Sequence, residues 1–163
     1  MKKTIISLAT LVALSGTLFA ETMNIVDTDG RSYSVEAEGN DIKISGMEGK
    51  VVFLEFFGLS CPACKQEMPT LINLQEKYRD KLEIMAVEVQ NNEVAPIQNF
   101  KAMNAINYKT FSNYDIGLLV RYVAEKANWK GEIPFLVAID SQGHVKFAQA
   151  GLIPEETLEK YIK

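Results

Sequence analysis

Along the first third of the chain, apolar and polar positions alternate with a period of two, and then the pattern changes character. Asn24-Ile25-Val26-Asp27 and Arg31-Ser32-Tyr33-Ser34-Val35 flank Asp29-Gly30, a pair that tolerates positive φ and suits a tight hairpin turn. Asp41-Ile42-Lys43-Ile44 alternates as a half-covered strand does. The span from Met23 to Lys50 is therefore β-rich. Val51 to Phe57 is different: an apolar run bounded by Gly49 and Gly58 and broken only by Glu55. Such a run predicts a central strand covered on both faces. Pro62 to Arg79 sets Met68, Leu71, Ile72, Leu74 and Tyr78 at helical spacing, and Leu82 to Val89 is a second apolar strand. Strand, crossover helix and strand make a parallel pair.

Further helices are expected over 94–103 and 115–127. In the first of them Ile97, Phe100 and Met103 form a core-like stripe. Strands over 134–139 and 145–150 flank the turn Asp140-Ser141-Gln142-Gly143. Pro154 begins a last helix, where its missing N–H costs little. Glu155 and Glu156 suit that helix's positive end, and Lys160 and Lys163 its negative end. The reading is an α/β fold: a central mixed sheet flanked by helices over 51–163, with a β extension over 21–50 packed on it. No repeat or inter-domain linker interrupts it.

Residues 1–20 stand apart. Lys2 and Lys3 precede an uncharged run from Thr4 to Phe19, and Ala20 is the small residue expected at a cleavage site. This predicts a secretory signal peptide and thus an exported, periplasmic protein. The run is too short for a comfortable membrane span, and only an uncleaved segment would touch the membrane. A lipoprotein is excluded because the two cysteines lie at 61 and 64, far from that run. With 47% apolar and 23% charged residues, the 163-residue chain can build a core without disulfide staples. Its net charge of −4 and the lack of a basic block argue against nucleic-acid binding. A monomer is expected.

The sharpest chemical feature is Cys61-Pro62-Ala63-Cys64. A tetrahedral zinc site would need two more ligands, yet no third cysteine exists and the single histidine, His144, falls in a turn. His144 is read as a solvated turn residue. Two-coordinate copper(I) with Met68 nearby is conceivable. A purely structural disulfide would close a tiny loop and constrain the unfolded chain little. The redox reading has a mechanical basis. Cys61 falls where a buried strand gives way to a helix, so unpaired N–H groups and the helix dipole would stabilise its thiolate. Cys64, one turn later, lies on the same side of that turn, where an intrahelical disulfide can close. Cys61 is then the attacking thiol and Cys64 the resolving one.

Strand, CxxC and helix at this place resemble the thioredoxin superfamily, and with the export signal the chain is similar to its TlpA/ResA-like periplasmic branch. The resemblance spans roughly Val51 to Lys163. It rests further on Glu55 six positions before Cys61, Pro69 five after Cys64, the Gly131-Glu132-Ile133-Pro134 loop, and Glu67 three after Cys64. It implies a cis-proline at Pro134 that exposes the Ile133 backbone to a partner peptide, with Pro62 and Ala63 at the same contact. It implies a buried Glu55 that takes the Cys64 proton, in preference to a carboxylate on a solvated face. Glu67 is either a carboxylate that tunes the thiols or a solvated residue of an exposed helix face. Two departures stand out. The family's Trp before the first cysteine is replaced by Ser60, a possible helix N-cap. The family's lysine partner for the buried acid has no counterpart on the Leu82–Val89 strand. Trp129, just before the loop, either lines a substrate groove or packs.

The direction of exchange is read as reductive. Pro62 and Ala63 carry no charge to stabilise a reduced thiolate, and the residue before Pro134 is Ile, as in reducing thioredoxins. The alternatives are a DsbA-like oxidant or isomerase and a non-catalytic binding or chaperone module. A peroxiredoxin-like enzyme is disfavoured, since Gly58 stands where those place Thr. The resemblance implies protein thiols and disulfides as substrates, apocytochrome c among them, and a membrane thiol reductase of the DsbD/CcdA kind as electron donor. It implies no cofactor beyond the cysteine pair, and no metal.

Overall fold

The computed structural model describes residues 21–163; the expected signal peptide lies outside the described residues. The N-terminal segment is an antiparallel three-stranded sheet of β1 (Glu21–Val26), β2 (Ser32–Glu38) and β3 (Asp41–Ile44). Ile25 faces Tyr33, and Ala37 faces Ile42. The rest is β4 (Val51–Phe57), α1 (Pro62–Lys77), β5 (Leu82–Glu88), α2 (Val94–Met103), β6 (Lys109–Ser112), α3 (Asn113–Ala127), β7 (Phe135–Ile139), β8 (Val145–Ala150) and α4 (Glu155–Ile162). Its five strands lie in the order β6-β5-β4-β7-β8. β4, β5 and β6 are mutually parallel, while β7 and β8 run antiparallel beside them. This is the central mixed sheet expected over 51–163, preceded by the β extension expected over 21–50.

Strand alternation divides β4 between two cores. Val52, Leu54 and Phe56 face one of them, with Met85, Val87, Phe111, Val137 and Ile139 from neighbouring strands. The three-stranded sheet covers this face with Met23, Ile25, Val35 and Ile42, and α3 with Ile116, Leu119 and Val123. Phe53 and Phe57 face the other core, together with Ile84, Ala86, Leu136 and Ala138. There α1 contributes Met68, Leu71 and Leu74, α2 contributes Ile97, and α4 contributes Leu158 and Ile162. Every residue of β4 is buried, as a doubly covered strand requires.

The β1–β2 turn also closes the free edge of the large sheet. Asp27 Oδ1 accepts from the amides of Asp29 and Arg31, and its Oδ2 from the Tyr33 hydroxyl at 2.8 Å. The turn so fixed donates from Thr28 N to Thr110 O at 2.8 Å, extending pairing past the edge strand β6.

Several expectations change. β6 was not foreseen: Lys109-Thr110-Phe111-Ser112 is too short to show a period, and it is a strand because β5 offers it a parallel edge. Met103 is not core; it ends α2 and is 85% exposed. Pro154 caps α4 from outside, and its first helical residue is Glu155. His144 is exposed but tethered. Its Nδ1 lies 2.7 Å from Asp41 Oδ1, and its backbone bridges to the same residue, joining the β7–β8 turn to β3.

Candidate active site

The C-terminal end of β4 delivers the chain through the turn 58–61 into α1. Cys61 itself, not Ser60, is the N-cap of that helix, with φ −92° and ψ 111°. Its sulfur accepts from the Cys64 amide at 3.1 Å. Pro62 occupies the first helical turn, where no N–H is required, and that turn carries no acidic residue. The N-terminal N–H groups and helix dipole therefore act on Cys61 Sγ unopposed by a neighbouring carboxylate in the turn. Cys61 and Cys64 form a disulfide, with Cα atoms 5.3 Å apart. Cys61 is 7% exposed and Cys64 2%, so the first cysteine is the less buried of the two. Pro62 is exposed and Ala63 half-buried beside them.

The Ile133–Pro134 peptide bond is cis. The loop it belongs to brings Ile133 O to 3.8 Å from Cys61 Sγ, across 72 residues of sequence. Trp129 fixes the approach to this loop. Its ring stacks on Phe135 at 5.2 Å between centroids and tilts on Phe56 at 4.9 Å, and its Nε1 donates to Glu132 O at 2.7 Å. Of the two roles open to Trp129, packing is the one the geometry supports.

In the core on the α1 side of β4, which also holds both cysteines, lie two carboxyl groups. Glu55 is 2% exposed and makes no hydrogen bond or ion pair among the described residues. Burial, and then the nearby Glu67 carboxylate, push its pKa well above the ordinary carboxylate range. Glu67 is buried on the inner face of α1, not exposed on an outer one. Its Oε1 accepts from Ile153 N at 3.2 Å, and its Oε2 is buried without a partner among the described residues. Burial raises its pKa to about 7, against the pull of the Ile153 amide. Tyr108, which sequence reasoning passed over, is buried in the same core; burial and the charges of Glu55 and Glu67 raise its pKa. No group of three or more His, Cys, Asp or Glu side chains placed to hold a metal ion occurs among the described residues.

The 58–61 turn has partners that no local pattern reveals. Ser60 N donates to Gln90 Oε1 at 3.0 Å, and Cys61 N to Gly58 O at 3.1 Å. Gln90 follows β5 in a loop held by Glu88, which is completely buried. Glu88 Oε1 accepts from Gln90 N and Asn92 Nδ2, and its Oε2 from Asn92 N.

A disulfide-bonded CxxC pair at the head of a helix, facing a cis-proline loop on this sheet, is the arrangement of a thioredoxin-fold protein. The AhpC/TSA family profile matches residues 26–148, and the chain belongs to that family. It is 30% identical over 144 residues to the thiol-disulfide oxidoreductase ResA of Bacillus cereus, an alignment spanning 88% of this chain and 75% of that protein. Among solved structures, StoA from Bacillus subtilis superposes with a TM-score of 0.65 at 16% identity, covering 90% of this chain and 99% of StoA. A thiol:disulfide interchange protein of the thioredoxin family from Chlorobium tepidum gives 0.65 at 20% identity, covering 88% and 92%. No helix of the described residues is long and apolar enough to cross a membrane.

Proposed function

We propose that this chain is an exported thiol–disulfide oxidoreductase that reduces disulfides of periplasmic proteins. The observation that carries the reading is the Cys61 sulfur itself: it caps α1, is bonded to Cys64, and lies 3.8 Å from the carbonyl before the cis-proline.

In the reduced protein the Cys61 thiolate attacks one sulfur of a substrate disulfide. A Cys61–substrate disulfide forms, and the first substrate sulfur leaves as a thiolate that takes a proton. Cys64 then loses its proton and attacks Cys61 Sγ, closing the intramolecular disulfide and releasing the second substrate thiol. The substrate gains two electrons and two protons; the protein is left in the Cys61–Cys64 disulfide state present in the structure. Glu55 receives the Cys64 proton, a role suited to a buried carboxyl with a raised pKa. The main chain at Ile133 pairs with an extended substrate segment, with Pro62 and Ala63 forming the neighbouring wall. Glu67 tunes the pair: when ionised, it opposes a second negative charge on the sulfurs.

Return to the dithiol state requires an external donor, for which a membrane thiol reductase of the DsbD/CcdA kind is the natural source. Oxidised apocytochrome c, whose thiols would be the product, is a candidate substrate that the family resemblance implies. The test is insulin reduction by the reduced chain, with Cys61→Ala beside it. Turnover that Cys61→Ala abolishes supports the enzyme reading; equal aggregation rates would make the chain a binding module. Cys64→Ala should accumulate a mixed disulfide with the substrate.

A further inference from the structure

The turn that presents Cys61 is braced from outside its own element. Ser60 is exposed and its backbone lies outside β4 and α1, so nothing in regular structure fixes it. Two contacts do. The ladder between β4 and β5 continues one step past the strands through Val89 N and Phe57 O at 2.9 Å. The next residue, Gln90, folds its side chain back over Gly58 and accepts the Ser60 amide at 3.0 Å. A Cβ at Gly58 would overlap the Gln90 Cδ and Oε1 atoms, so the glycine is what admits this side chain. Gln90 is in turn held by its own amide on Glu88 Oε1 at 3.1 Å, and Glu88 also anchors Asn92. Ser112 Oγ donates to Asn92 O at 2.9 Å, tying the loop to the end of β6. The brace thus runs from three parallel strand ends to one backbone amide beside the reactive sulfur.

We propose that Gln90 is a positioning residue for thiol–disulfide exchange: seated over Gly58 and accepting the Ser60 amide, it holds the 58–61 turn so that Cys61 Sγ stays in the N-cap of α1. The inference rests on the reading of Cys61 as the attacking thiol. Gln90 touches no reacting atom. It acts by keeping the sulfur where the helix N–H groups stabilise its thiolate, within reach of the Cys64 amide that donates to it.

The test is the pH profile of Cys61 alkylation by iodoacetamide in a Cys64→Ala background. It compares Gln90→Met, which fills the same space without an acceptor, with Gly58→Ala, which expels the Gln90 side chain, and with the double variant. Gln90→Met should raise the midpoint of Cys61 by about one pH unit and slow alkylation below it about tenfold. Gly58→Ala should give a similar shift, and the double variant no more than either single one, because both remove one contact. The proposal is overturned if Gln90→Met leaves the midpoint unmoved while the background protein has a lowered one, or if the two shifts add. A background Cys61 that titrates as an ordinary thiol near about 8.5 overturns both this proposal and the attacking role of Cys61. Circular dichroism guards the result: a shift in midpoint with secondary structure and melting retained supports positioning, whereas melting that falls with no shift in midpoint contradicts it.

Discussion

The two faces of β4 are built from one strand and do opposite work. On the face under β1–β3 and α3, Val52, Leu54 and Phe56 meet only apolar neighbours in the sheet centre, and charge is kept to the rim. Glu83, at the start of β5, is held there by Lys109 at 2.7 Å and Lys50 at 3.5 Å. On the face under α1, the same strand inserts Glu55, and α1 adds Glu67 with a buried unpartnered oxygen. A core that serves stability alone has no reason to carry two buried carboxyls so poorly paired: among the described residues one amide reaches Glu67 and Glu55 has no hydrogen-bond partner, so most of their desolvation cost stands. On the proposed mechanism, the acid-bearing face gives up stability for proton handling near the cysteines, and the apolar face supplies the stability given up.

That division can be broken from the apolar side first. Leu54→Glu would place a third carboxyl where none has a proton-handling use, and it should cost more than about 4 kcal/mol, enough to unfold the chain at neutral pH in a denaturant titration. Leu54→Ala should cost about 3 kcal/mol by the same measurement and leave the redox equilibrium of the cysteine pair unchanged, since the cavity opens on the far side of the sheet. A shift of that equilibrium would show the faces to be coupled.

The acid-bearing face should respond in the opposite sense. Both carboxyls have raised pKa values in the folded state, Glu67 to about 7 from an ordinary 4.5. Between those two pH values the folded chain binds more protons than the unfolded one, so stability falls as pH rises through the window. Glu55→Gln should therefore stabilise the protein at pH 8 more than at pH 4, where it should have little effect, and slow resolution by Cys64 about tenfold in stopped-flow exchange. Stabilisation without slowing would remove Glu55 from the mechanism. Glu67→Gln should flatten the stability profile between pH 4.5 and 7 and lower the Glu55 titration midpoint read by carboxyl-carbon NMR, because the Glu67 charge helps to raise it. The smallest effect belongs to the rim: His144→Ala, which removes an exposed contact to Asp41, should cost at most about 1 kcal/mol in thermal melting.

Much of this was legible in the sequence where the signal was local. The apolar run of β4 with Glu55 inside it, the cysteine spacing, and the start of α1 at Pro62 are all visible within a dozen residues. What escaped has non-local causes. The Ser60 amide meets a side chain 30 residues away, Asp41 meets His144 across 103, and β6 is a strand only because β5 lies beside it. The Cys61 N-cap was missed because Ser60 is by residue type the better cap, whereas α1 begins at Pro62 and so puts the cysteine sulfur in the capping position. Met103 keeps helical spacing with Ile97 but sits in the final turn of α2, beyond the edge of the core.

The reductive direction of exchange is tested most directly by equilibrating the Cys61–Cys64 pair with glutathione and reading its reduction potential. A reductase should give a value of about −270 mV, in the range of thioredoxin, and a value of about −120 mV, in the range of DsbA, would contradict the reductive direction.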